Sequence, residues 1–287
     1  MKLKFIYSLI LLFTFASIYM VDKSEDWGFF AHRRINQLAV FTLPSEMLEL
    51  YRKEISYITE HAVDPDKRRY ASIYEGIRHY IDLDQWEHRL PIDTLPQKWE
   101  QALLQYTSVY TVNPFGDTIM VKTSGPIDWS SSRVQWGTDS VETSRLLRCF
   151  KHFILGQYYE KEWSVAADSV EQLLNWSSPG RIIYWEDHFS EHGVLPYHLQ
   201  QMQWRLTKAF EKKDIPLILR LSAEMGHYIG DAHVPLHTSK NYNGQLTNQV
   251  GIHAFWESRI PELFANEEYD FFIGDAVYQE DKADLFW

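Results

Sequence analysis

Imidazole and carboxylate side chains recur at one-turn spacing near the C-terminus of this 287-residue chain, and that recurrence limits what it can fold into. His227 and Asp231 are four residues apart, His237 follows, and His253 and Glu257 are again four apart. Positions i and i+4 of a helix share a face, so each pair projects as a unit. Two such pairs facing one another can hold cations between helices. Upstream, Trp27, His32, Asp66 and His79 add residues of compatible type. Taken singly, such a pair is ordinarily a helix-face hydrogen bond, Asp66 a turn residue after Pro65, and Trp27 an apolar anchor. Together, and in this order, they point to a polynuclear zinc site and so to hydrolysis. His233, two residues past Asp231, faces away from the His227 face and reads as supporting or structural rather than as a ligand.

A single cysteine, Cys149, excludes an intrachain disulfide framework and a Cys-rich zinc finger, so any metal site must use nitrogen and oxygen. The net charge of −11 is a poor electrostatic match for nucleic acid or an anionic membrane. It argues against a dedicated nucleic-acid-binding module but not against a phosphodiesterase, whose divalent ions bring positive charge to the site itself. An aromatic content of 15% provides both core area and stacking surfaces, so it fits several substrates alike.

Residues 1–26 are predicted to be a signal peptide and short pro-segment. Lys2 and Lys4 precede the apolar run FIYSLILLFTFASIYM, which is shorter than the roughly 20 residues of a membrane span. Export to the periplasm or beyond follows, with no stable membrane span; no Cys follows the run to carry a lipid anchor. Residues 27–287 read as one domain. Apolar spacing predicts a helix from about His32 that Pro44 interrupts, and two clear helices in LPYHLQQMQWRLTKAFEKK and DIPLILRLSAEMGHYIGDAHVP. Asp214 caps the second of these, Pro216 sits in its first turn, and it should end before Pro235. The HAFWESRIPELF run continues a helical pattern through Ile260. Residues 107–135 have the β-branched and turn composition of a hairpin, and 140–176 look helical. The expected architecture is a mostly α, multi-helix bundle with an irregular insertion at about 105–185.

The motifs WGFFAH, PDKRR, HYID, HYIGD, PLH and HAFWE, in that order, resemble the superfamily of trinuclear-zinc phospholipases C and single-strand-specific zinc nucleases. The resemblance covers roughly residues 27–90 and 195–265; the insertion has no recognised counterpart. It implies three zinc ions. Asp66, His79, His227 and Asp231 would hold one, and His237, His253 and Glu257 a second. Trp27 through its amino group and carbonyl oxygen, His32 and a shared Asp231 would hold the third. Asp64 is the alternative to Asp66. The resemblance further implies that Arg69 contacts the scissile phosphate and that Asp82 lies near the attacking water. Tyr80 stands where an aromatic could stack on a base or line a lipid pocket.

Two activities are implied, and the cues divide. The five-residue step from Trp27 to His32 is nuclease-like; Glu257 in place of Asp and the short interval from His237 to His253 are phospholipase-like. The expectation is a zinc-dependent phosphodiesterase, an endonuclease on single-stranded nucleic acid ahead of a phospholipase C on phospholipid head groups. A non-catalytic zinc-binding envelope protein is the alternative of a different class. No protein partner is implied.

Overall fold

The structure is a computed structural model that describes residues 28–87, 95–155, 160–274 and 276. The predicted signal segment and Trp27 lie outside the described residues. No described helix is long and apolar enough to cross a membrane.

The helical body begins with α1 (Phe29–Ala39), α2 (Ser45–Lys53), α3 (Ile55–Glu60), α4 (Asp64–Arg69), α5 (Ile73–Gly76) and α6 (Asp84–Glu87). Pro44 separates α1 from α2, as its missing N–H requires, after a 3₁₀ turn at Val40–Thr42. The chain then runs through α7 (Trp99–Gln105) into β1 (Thr107–Val112), β2 (Thr118–Lys122), β3 (Arg133–Trp136), β4 (Asp139–Glu142), α8 (Thr143–Phe153), β5 (Glu162–Ala166), α9 (Ala167–Leu174) and β6 (Ile182–Asp187). It returns through the long antiparallel neighbours α10 (Leu195–Lys212) and α11 (Ile215–Ala232). Asp214 caps α11 by accepting from the Leu217 N–H at 3.2 Å. Finally α12 (Ile252–Ala254) passes through a π-helical turn, Phe255–Arg259, into α13 (Ile260–Glu268).

Two cores result. Val40, Tyr51, Ile58, Leu199, Met202, Ile218 and Leu221 bind α1–α3 to α10 and α11. The second core, around Trp136, Phe150, Trp163, Ile183 and Trp185, belongs mainly to the insertion. That segment is more regular than its composition suggests: a four-stranded antiparallel sheet in the order β2-β1-β6-β5, with the hairpin β3-β4 beside it. The predicted hairpin is present as β1-β2. The helix expected over 140–176 is divided in two by β5, whose alternating exposure over EWSVA is the signature of a strand with one buried face. The mostly α class with an inserted segment stands.

A close approach places the site. Asn36 on α1 donates to the carbonyls of Ile58 (3.2 Å) and Ala223 (2.9 Å), riveting α1 between α3 and α11. Its amide fits because residue 226 is glycine; a Cβ there would lie 2.0 Å from Asn36 Oδ1. This brings His32, one turn before Asn36, against His227, the next residue after Gly226.

Candidate metal centre

α11 is amphipathic along an unusual line, with His227 and Asp231 on its buried face at 0% and 2% exposure. A buried carboxylate needs partners, and Asp231 has four imidazoles around it. Its Oδ2 lies 2.9 Å from His79 Nδ1 and 3.4 Å from His227 Nε2; its Oδ1 lies 3.3 Å from His32 Nε2 and 3.7 Å from His237 Nε2. His79 comes from the turn after α5, His32 from α1, and His237 from the 3₁₀ turn Pro235–Thr238.

The distances match a coordination shell. Two ligands about 2.0–2.1 Å from a tetrahedral zinc stand roughly 3.4 Å apart. His79 Nδ1 and His227 Nε2 are 3.1 Å apart, and Asp66 Oδ1 is 3.9 Å from each. Asp66, His79, His227 and Asp231 therefore converge as one group. His237, His253 and Glu257 form another: Glu257 Oε1 lies 2.8 Å from His237 Nε2, and its Oε2 2.8 Å from His253 Nε2. His32 stacks on His227 at 3.8 Å between ring centres and presents Nε2 to Asp231. Three sets of ligand atoms among the described residues are each tight enough to hold a cation: His32, Asp66 and His227; His79, His227 and Asp231; and His237, His253 and Glu257. Next to the undescribed Trp27, Gly28 abuts His32 and Glu257, and its N–H donates to Ser258 Oγ.

The electrostatics suit cation binding. Burial, aided by repulsion from His227, pushes His32 down to about 4, leaving it neutral with a free lone pair near pH 7. Burial likewise lowers His79, against the pull of Asp231. His227 is raised although burial opposes it, because Asp231 and Asp66 favour its charged form; Asp231 is correspondingly held well below the ordinary carboxylate value despite its burial. Burial also opposes charge on His237 and Glu257, but their mutual contact raises His237 to about 9 and lowers Glu257 to about 2. Without a cation the site is thus a set of internal ion pairs; a divalent ion can replace the imidazolium protons.

The remaining sequence-predicted residues separate cleanly. Asp64 pairs with His61 and Lys67, so Asp66 and not Asp64 joins the cluster. Arg69 lies 3.5 Å from Asp66 Oδ1 and lines an open cleft of about 890 Å³ over the ligands, which Tyr80 and Asp82 also line. The Asp82 carboxylate faces His192 Nδ1 at 3.7 Å. The Tyr80 hydroxyl is turned to the Glu191 carbonyl at 3.1 Å. His233 is exposed, and its Nδ1 meets the Ile229 carbonyl.

Sequence reasoning missed the residues behind and beside these. Glu75, buried, gathers Arg68, Arg78 and the Tyr228 hydroxyl, and the Tyr228 ring packs 5.1 Å from that of His79. Asp84 accepts from Ser239 Oγ (2.9 Å) and the Lys240 N–H (3.0 Å), while Ile81 N–H and Leu83 N–H donate to the carbonyls of His237 and Thr238. These bonds clamp the His79 segment to the His237 segment. Asp84, two residues after Asp82, and Ser239, two after His237, had alternation with named site residues as their only signal. Compared with known protein families, curated proteins and solved structures, the chain finds no match.

Proposed function

We propose that the protein is a zinc-dependent phosphodiester hydrolase of the trinuclear phospholipase C and single-strand nuclease type, exported from the cell, and that its substrate is single-stranded nucleic acid. The observation that carries this reading is the Asp231 carboxylate, whose one oxygen faces His79 and His227 and whose other faces His32 and His237, beneath a cleft that contains Arg69. His79 and His227 on one side of this carboxylate, and His32 and His237 on the other, would hold cations of the kind that polynuclear phosphodiesterases use. Bound zinc would supply Lewis acidity and lower the pKa of water.

The chain's own residues do the rest. Arg69 pairs with a non-bridging phosphate oxygen in a forked contact and turns the phosphorus toward the cluster. Asp82, held from behind by His192, orients the attacking water and accepts its proton as the water oxygen bonds to phosphorus and the bond to the departing oxygen breaks in line, the departing oxygen taking a proton from solvent. Exposed Tyr70 and Tyr242 on the cleft (75% and 53%) favour a substrate with unpaired bases to stack. Phospholipase C is the second reading, favoured by Glu257 and by exposed Ile73 on the same cleft.

The test pairs substrates. Zinc-loaded protein is incubated separately with single-stranded DNA, RNA and phosphatidylcholine, with and without a chelator. Chelator-sensitive cleavage of the nucleic acids is expected. Release of phosphocholine alone selects the second reading. Cleavage of none of the three supports a non-catalytic zinc-binding protein where mass spectrometry finds the zinc retained, and a structural protein where it finds less than one zinc per chain.

A further inference from the structure

Two chain segments bring a cation and an exposed tyrosine to the cleft. One is Arg69-Tyr70, at the end of α4. The other is Lys240 with Tyr242, on the loop that follows His237. Lys53, Lys67, Lys151, Lys161 and Lys208 each lie against a carboxylate; Lys98, Lys212 and Lys213 do not among the described residues, but none of these lines the cleft. The exposed Lys240 ammonium forms no ion pair among the described residues, yet its main chain is among the best-held parts of that loop. Both oxygens of Asp84 accept its N–H, at 3.0 and 3.2 Å. Gln245 Nε2 donates to its carbonyl, and the clamp from Ile81 and Leu83 fixes the two residues preceding Ser239. The Asp84 carboxylate is taken up by the Lys240 N–H and the Ser239 hydroxyl, so it anchors the residue without pairing its ammonium. Beyond, the Tyr242 carbonyl faces His253 Nδ1 at 3.3 Å, tying the same loop to the ligand set.

A positive charge fixed at its root, on a cleft that Arg69 also lines, is suited to a second anion on the same substrate. We propose that Lys240, anchored by Asp84, is a specificity residue that binds the phosphate adjacent to the scissile one, so that the cleft selects a strand with consecutive phosphates over a molecule with one. This rests on the phosphodiesterase reading above. Tyr242, two residues on, supplies the stacking surface for the neighbouring base.

Binding of fluorescent oligothymidylate to the zinc-loaded full chain, followed by anisotropy, tests it independently of turnover. A second oligomer carries neutral methylphosphonates on either side of its central phosphate. Lys240→Gln should weaken binding of the all-phosphate oligomer about tenfold and flatten its salt dependence by about 0.7 in log–log slope, the value for one contact to a single strand. The same substitution should leave the methylphosphonate oligomer's affinity where it was, and Lys240→Arg should restore most of the loss. Equal weakening of both oligomers, or none, overturns the proposal. This binding pattern together with no cleavage by the wild type would refute the hydrolase reading and keep Lys240 only as a contact to a second phosphate of a bound strand. Wild-type cleavage without the pattern would do the reverse.

Discussion

Asp231 does at the residue scale what no imidazole near it can do, since it carries negative charge to two groups at once. Asp231→Asn keeps the shape and removes the charge. In the metal-free protein it leaves buried His227 without its main counter-charge, which costs about 3–5 kcal/mol for a broken buried pair; urea denaturation measures it. Metal content by mass spectrometry should fall by at least one ion per chain. His237 makes a separate prediction. Raised from 6.5 to about 9, it is protonated at pH 7 in the metal-free protein, and coordination needs it neutral. Zinc uptake at pH 7 should therefore release protons, seen in calorimetry as a heat that varies with the ionisation enthalpy of the buffer. Apparent affinity should climb between pH 7 and 9 and then level. A buffer-independent heat would remove His237 from the ligand set. The sign for stability is opposite: the His237–Glu257 contact contributes fully below about pH 6.5 from the histidine side and is lost as pH rises toward about 9.

Elements set those residues in register. His253 and Glu257 are an i, i+4 pair, but the turn that carries Glu257 is π-helical, Phe255–Arg259, which widens the helix by one residue where it faces His237. Between α1 and α11 the fit is tighter. Gly226→Ala would place its Cβ against Asn36 Oδ1 and break the rivet to Ile58 and Ala223. A loss on the order of 1–3 kcal/mol is expected from such overpacking, measured by chemical denaturation, with His32 displaced from His227 as its structural sign. What the sequence made legible was local. Ligand type and one-turn spacing exposed His227, Asp231, His253 and Glu257, and Asp214 with Pro216 marked the start of α11. What it hid depends on distant partners. Arg68 and Arg69 are adjacent and alike, yet Arg68 is taken by Glu75 and Glu224 while Arg69 faces the cleft. Lys122 looks like a surface residue but is buried with its ammonium on the carbonyls of Gln105, Thr107 and Thr123. The five residues of β5 were too few to outweigh the helical pattern on both sides.

For the molecule as a whole, the two cores predict two kinds of damage. Leu174, buried in the insertion's core, contributes nothing to the ligand groups. Leu174→Ala should cost about 2–5 kcal/mol and lower the melting temperature while leaving zinc per chain unchanged. Chelation should do the converse, removing the binding contribution to stability and lowering the melting temperature with all side chains intact. A loss of zinc on Leu174→Ala would mean that the two cores do not act separately. The strands that bound the insertion add one more consequence. Thr107 of β1 and Asp187 of β6 face each other across a single ladder, and the His188 N–H donates to the Tyr106 carbonyl just outside it. The chain departs from the helical scaffold and rejoins it at neighbouring points, like a cassette, with Ile81, Val194 and Tyr197 of the scaffold packed into its core. A cassette of this kind can lengthen at its far turn, at Asn113–Asp117, and the spacing between its two ends stays what the ladder makes it.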